Sequence, residues 1–240
     1  MDFNKLFLIK KPIIGMIHLA GNSHQERVKR ALEELVIYQE EGINGAIIED
    51  YHGTQEDVFE TFKQVKRLNL NVVLGMNLLS NPYFGYQESK SLGAKFVQFD
   101  SLQSTDINLG LYRKLRIYNP DVAVLGGVRF KYTQDTGNPL EKDLNEVKSI
   151  CEAIVTTGSG TGIETPLEKL IEFKRNLKEF PLVVGAGVNP SNAYEQFFIA
   201  DAAIIGSYVK PRGNTYLPVE RSLIRDIIPI VKEVRKYFQD

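Results

Sequence analysis

Eight times along this chain a short apolar run is followed by a stretch with helical apolar periodicity, the units recurring at about 25 to 30 residues. The apolar runs are 12–18, 45–50, 71–77, 95–100, 121–131, 153–156, 182–184 and 202–205. None shows the polar alternation of a half-exposed strand, so each reads as a strand covered on both faces, as a parallel sheet requires. The intervening segments open on helix-start signals: Ser23–Glu26, Thr54–Asp57, Asn81–Pro82, Asn138–Glu141, Thr165–Glu168 and Asn189–Pro190. These pair a capping side chain with Pro at the first helical turn or an acidic residue three on. Eight strand–helix units close a (β/α)8 TIM barrel. A doubly wound open sheet fits less well, because the count is eight and the glycine-rich loops fall late. No linker or low-complexity segment interrupts the pattern, so residues 1–240 read as one barrel domain, a usual length for that fold.

Composition narrows the partners. The net charge is −1 and no basic block stands out, which argues against nucleic acid or an anionic membrane as the main partner. No apolar run approaches the ~18 residues of a membrane span. The patch Leu6–Ile9 lacks a small-residue cleavage site, so the start of the chain does not read as a signal peptide. Cys151 is the one cysteine, which rules out an internal disulfide and suits a reducing, cytoplasmic setting; at a strand start it reads as a small buried hydrophobe. Barrels of this size commonly self-associate, so a homo-oligomer stays open.

Three late loops share one chemistry. Ile154 and Val155 end a strand, Gly158, Ser159, Gly160, Thr161 and Gly162 follow, and Thr165–Pro166 would start a helix. Bare backbone lets amide groups approach an anion, and a helix N-terminus adds a favourable dipole. Gly185 and Gly187 repeat the arrangement after the next strand, and Gly206–Ser207 after the last. In such barrels the loops after the last two strands often hold phosphate. A small phosphorylated ligand is therefore the expected partner, although glycines also serve tight turns without a ligand.

Working residues of a barrel sit at the C-terminal ends of its strands. The polar residues at those positions are His18, Glu49, Asp50, Asn77, Asp100, Arg129 and Lys131. Asp100 is the leading general-base candidate, His18 a proton-transfer candidate, and Lys131 could neutralise phosphate, polarise a carbonyl or form a Schiff base. Glu49 and Asp50 should face opposite ways, one toward the barrel mouth and the other capping the next helix region; Arg129 and Lys131 should share a side if their strand persists. His18, His24 and His52 have no metal-ligand spacing, so no metal or other cofactor is expected, and a divalent cation would need carboxylate ligands. There is no P-loop, nucleophile elbow or strand-borne dinucleotide fingerprint.

Taken with their order, several of these stretches resemble the BtpA family, barrel proteins related to ribulose-phosphate-binding barrels. They are Lys11–Leu19, Asn77–Leu79 with Asn81, Lys131, Thr157–Gly162, Gly185–Pro190, and Ala202–Lys210 with Gly213. The chain departs from the family pattern at Ala20–Ser23, where a proline-rich stretch is usual, at Ser80–Pro82 in place of Arg-Asn-Asp, and at Lys131–Tyr132 in place of Lys-His. The resemblance implies the barrel and its anion site more strongly than any one reaction. Two functions follow as expectations: an enzyme of isomerase, lyase or glycosidic-cleavage type acting on a sugar phosphate or nucleotide-like molecule, or a non-catalytic assembly or regulatory factor that keeps the ligand site.

Overall fold

The structure is a computed structural model that describes residues 2–238. The strands are β1 (Ile13–Ile17), β2 (Gly45–Glu49), β3 (Val73–Asn77), β4 (Phe96–Phe99), β5 (Ala123–Gly127), β6 (Ala153–Thr156), β7 (Leu182–Val184) and β8 (Ala202–Ile205). They form a closed parallel barrel in chain order, with β8 pairing back onto β1. The helices are α1 (Phe3–Leu6), α2 (His24–Glu40), α3 (Gln55–Val65), α4 (Pro82–Leu92), α5 (Leu109–Tyr118), α6 (Leu140–Lys148), α7 (Leu167–Leu177), α8 (Ala193–Ile199) and α9 (Arg221–Lys236). This is the TIM barrel that the strand–helix repeat calls for.

Strand alternation divides the buried residues into two cores. Ile17, Ile48, Val97, Val124, Ile154 and Ile205 point outward onto the helices. Ile14, Met16, Ile47, Phe96, Leu125, Val155 and Ile204 fill the barrel interior. Gly75 belongs to the interior set, where a Cβ would stand 2.3 Å from the Phe96 ring; glycine is what lets that ring cross the lumen.

Helix α1 has no counterpart in the eight-unit reading. Its Phe3 and Leu6, with Phe7 just beyond, are buried and close the N-terminal end of the lumen, Phe7 meeting Phe96 edge-on at 6.0 Å. Four helical residues are too short to show a period, which is why the sequence reads there only as an apolar patch.

Four expectations about local structure need correction. The strand drawn over 121–131 ends at Gly127, and Arg129 turns to φ 45°, so Arg129 and Lys131 do not share a face. Thr165 does not cap α7: its hydroxyl donates to the Ala186 carbonyl, and Pro166 occupies the cap position without a side-chain bond. Asn138 likewise fails to cap α6: its side-chain oxygen accepts from the Lys142 ammonium and its amide donates to Asp143. The helix expected from Pro190 begins at Ala193, since Asn189 instead accepts from the Ser191 backbone and hydroxyl. Caps at Ser23, Thr54 and Asn81 form, the Thr54–Asp57 pair as a complete capping box.

Candidate active site at the barrel mouth

Inward parity at the C-terminal ends of β1 to β4 brings His18, Glu49, Asn77, Gln98 and Asp100 together. Glu49 faces Asn77 across the β2–β3 ladder. The Asn77 side-chain amide donates to Glu49 Oε1 at 2.9 Å and to Asp100 Oδ1 at 3.1 Å. Gln98 donates to the same Asp100 oxygen at 2.8 Å. Two carboxyl groups thus share one amide in the floor of the mouth. Burial is the main force on Glu49; with Asp100 close by, it raises the carboxyl to about 8, against the pull of Lys131 and the Asn77 hydrogen bond. At neutral pH Glu49 is an acid that holds its proton.

His18 is 3 % exposed, and burial, reinforced by Lys210, His52 and Lys131, pushes its pKa well below the ordinary value. It is a neutral imidazole whose Nδ1 has no partner among the described residues. Lys131 reaches the mouth from the loop after β5, its ammonium donating to the Thr161 hydroxyl at 3.1 Å and its backbone amide to Thr157 Oγ1 at 2.6 Å. Lys169 on α7 ties this loop to β6 by donating to the Arg129 and Thr157 carbonyls at 2.8 and 2.7 Å.

His18, Glu49, Gln98, Asp100 and Lys131 line an inner chamber of about 150 Å³, whose walls include Tyr51 and Tyr132; Asn77 lies behind Glu49 and Asp100 and is not part of the lining. It adjoins an outer chamber of about 670 Å³, and the two share Tyr51, Thr161, Gly162, Gly187, Gly206 and Ser207. Of the glycine-loop residues singled out in the sequence, Thr161, Gly162, Gly187, Gly206 and Ser207 border both chambers, and Gly185 the inner one. Gly158, Ser159 and Gly160 border neither. A Cβ at Gly158 would stand 2.3 Å from the Glu164 carbonyl oxygen, so that glycine serves the loop's packing on itself. Gly187, at φ 76°, packs equally closely on Glu164 while still edging the chambers.

Arg129 is not a mouth residue. Its guanidinium pairs with Asp143 at 3.4 Å and with the Asn138 carbonyl at 2.9 Å. Asp50 turns away from Glu49 but does not cap the next helix, which Thr54 caps; its carboxylate accepts from the Leu79 amide at 2.7 Å and the Ser80 hydroxyl at 3.0 Å. Gln98 and Tyr51 were not singled out in the sequence, and Tyr132 only as a departure from the family pattern; period-two alternation back from Asp100 would have found Gln98. Cys151 is buried, and burial raises its thiol far above the usual range. Among the described residues no group of three or more His, Cys, Asp and Glu side chains could hold a metal ion, and no helix is long and apolar enough to cross a membrane.

Comparison with known proteins agrees with this architecture. The chain is 31 % identical to an uncharacterized protein of Pyrococcus furiosus, over 91 % of this chain and 92 % of the relative. It is 26 % identical to the photosystem I biogenesis protein BtpA of a Synechocystis species, over 89 % and 85 % of the two chains. Among solved structures, 3-hexulose-6-phosphate synthase from Salmonella typhimurium superposes with a TM-score of 0.65 at 13 % identity, covering 93 % of this chain and 99 % of the other. Phosphoribosyl anthranilate isomerase from Thermus thermophilus gives 0.64 at 11 % identity, covering 93 % and 99 %. At such identities these two likenesses speak for the fold alone. The BtpA family model matches residues 9–233, and the chain belongs to the BtpA family.

Proposed function

We propose that this protein is an enzyme that carries out proton-transfer chemistry on a phosphorylated small molecule, a sugar phosphate or a nucleotide-like compound. The observation that carries the reading is the continuity of the two chambers: an inner one holding Glu49, Asp100, Lys131 and His18, and an outer one bordered by Gly162, Gly187, Gly206 and Ser207. The glycine-edged loops offer backbone amides to an anion, and the inner groups meet the other end of the ligand. Glu49 supplies a proton and Asp100 is the base; two carboxyl groups in unlike settings are how one site runs both steps. Lys131 neutralises charge that develops on a substrate oxygen. Structural neighbours whose names state sugar-phosphate or phosphoribosyl chemistry support the reading by analogy of fold.

The test is a thermal-shift panel of sugar phosphates and nucleotides on the wild type and on Ser207→Asp. Ser207 is a better position than Gly206, where a Cβ would stand 2.9 Å from His18. A ligand at 100 times its dissociation constant adds about 2.7 kcal/mol, a rise of roughly 5 to 10 °C for a chain of this size. The expected result is a shift in the wild type that a folded Ser207→Asp abolishes; no shift across the panel sinks the reading.

A second reading, a non-catalytic assembly factor, is favoured by the name of the Synechocystis relative. It predicts that Asp100→Asn and Lys131→Ala leave the cellular role intact, whereas an enzyme loses it with either.

A further inference from the structure

Between β8 and α9 the chain places one arginine in a costly conformation. Arg212 lies in the short 3-10 turn Pro211–Gly213 at φ 56° and ψ 23°, the left-handed region that side chains avoid. Such strain persists only where the surroundings impose it. Here they do, on both sides of the turn. The buried Lys210 ammonium donates to both Glu34 oxygens at 3.1 and 3.3 Å and to the Leu217 carbonyl at 3.2 Å. Glu34 also accepts from the Val219 amide at 3.1 Å. Thr215 pairs with His52 at 2.9 Å, and Arg30 donates to the Tyr216 carbonyl at 2.8 Å.

The turn so anchored puts the exposed Arg212 in the wall of the outer chamber, which Gly162, Gly187 and Ser207 also line. Several other arginines meet acids: Arg27 pairs with Asp57, Arg116 with Glu152, Arg129 with Asp143 and Arg225 with Glu41. Arg212 makes no hydrogen bond or ion pair among the described residues. The outer chamber has no Asp or Glu in its lining, while Lys210 and Arg212 both border it. A planar fork of donors, unpaired and carried by a strained residue in a wall that also holds Gly162, Gly187 and Ser207, matches a phosphate monoester.

We infer that Arg212 grips the phosphate of the substrate in the outer chamber, so that the substrate is a phosphate monoester whose other end reaches Glu49 and Asp100. This rests on the proposed function and adds to it the residue that selects the charged end. The strain at Arg212 is then borne for binding, and stability and binding should part company at this position.

The experiment is calorimetric titration of the full chain with inorganic phosphate and with ribose 5-phosphate, alongside melting temperatures. The variants are Arg212→Gly, Arg212→Lys, Ser207→Asp and Arg175→Gln, the last an exposed arginine on α7 that borders neither chamber. Arg212→Gly removes the guanidinium and relieves the backbone, so it should melt higher than the wild type yet bind either probe at least about tenfold more weakly, the loss expected when a hydrogen-bonded charge is removed. Arg212→Lys should keep part of the affinity, and Arg175→Gln all of it. Binding by Arg212→Gly within twofold of the wild type, with Ser207→Asp inactive, overturns the inference and leaves the proposed function standing. Equal weakening by Arg212→Gly and Arg175→Gln overturns it in favour of diffuse charge. If the wild type binds neither probe nor any member of the wider panel, both fail.

Discussion

The two ends of this barrel are built on opposite terms. At the N-terminal end, polar groups are matched. The Lys11 ammonium donates to the Ala200 carbonyl at 3.0 Å and sits 3.9 Å from the Phe238 ring centre. Arg235 donates to the Lys10 and Lys11 carbonyls and to the Asn44 side chain, which in turn accepts from Ile13. Phe3, Leu6 and Phe7 close the lumen with apolar surface. At the C-terminal end, Glu49 is buried with a second carboxyl group close by, and His18 Nδ1 and Gln98 Oε1 have no partner among the described residues. Buried polar groups without partners cost free energy, and a fold retains them where they serve something other than stability. The difference separates a floor that holds the fold from a mouth that offers chemistry.

The hardest test of that division is at the floor. Phe7→Ala removes a ring buried against Phe96 and Phe3 and should cost about 3–5 kcal/mol, the range for large-to-small changes in a packed core. Melting temperature should fall by roughly 10 °C or more. The folded fraction should still bind whatever ligand the wild type binds, with the same dissociation constant. A change in affinity as large as the change in stability would mean that the lumen transmits strain from end to end, and the comparison would collapse.

How much of this was legible beforehand depended on where side chains spend their hydrogen bonds. The barrel was legible because doubly covered strands leave unbroken apolar runs; β6, β7 and β8 lie where those runs place them. Helix starts were legible at Ser23, Thr54 and Asn81, whose side chains bond their own helices. They were not at Thr165, whose hydroxyl bonds the distant Ala186 carbonyl, nor at Asn138, whose side chain bonds the Lys142 and Asp143 side chains of α6 instead of its backbone. In the mouth, position at the strand ends pointed to Glu49, Asn77 and Asp100, with the choice between Glu49 and Asp50 left open. Arg129 went astray because its strand stops two residues earlier, at Gly127, where a Cβ would stand 1.9 Å from the Asp100 carbonyl oxygen. Arg212 was invisible, since a turn held by a distant Lys210–Glu34 pair has no local pattern.

Glu49 gives the next largest effect, and it carries a sign. Its folded value of about 8 stands above its unfolded value near 4.5, so the folded state keeps a proton that the unfolded chain releases. The stabilising contribution is complete below pH 4.5 and is lost as pH rises through 8. Glu49→Gln keeps the hydrogen-bonding shape without the charge. The variant should match the wild type near pH 5 and exceed it above pH 8 by a few kcal/mol at most, on the order of 2–4. Any turnover should be lost. Denaturant midpoints measured on both proteins from pH 5 to 9 read the difference directly; a gap that does not change with pH would mean that Glu49 is ionised in both states, and the mouth would lose its acid.

The smallest effect sharpens the comparison most finely, because it falls on the next residue. Asp50 borders neither chamber and holds the loop after β3 through the Leu79 amide and the Ser80 hydroxyl. Asp50→Ala should cost about 1 kcal/mol, as loss of a charged acceptor at a loop does, and should leave ligand affinity unchanged. Glu49 and Asp50 are adjacent acids, yet removing one charge should stabilise the fold at alkaline pH and removing the other should weaken it. Parity along β2 makes that division, sending one carboxyl group into the lumen and the other toward the loop. Equal stability losses in the two variants would show that the mouth is built like the rest of the surface, and that the line between scaffold and site does not run between positions 49 and 50.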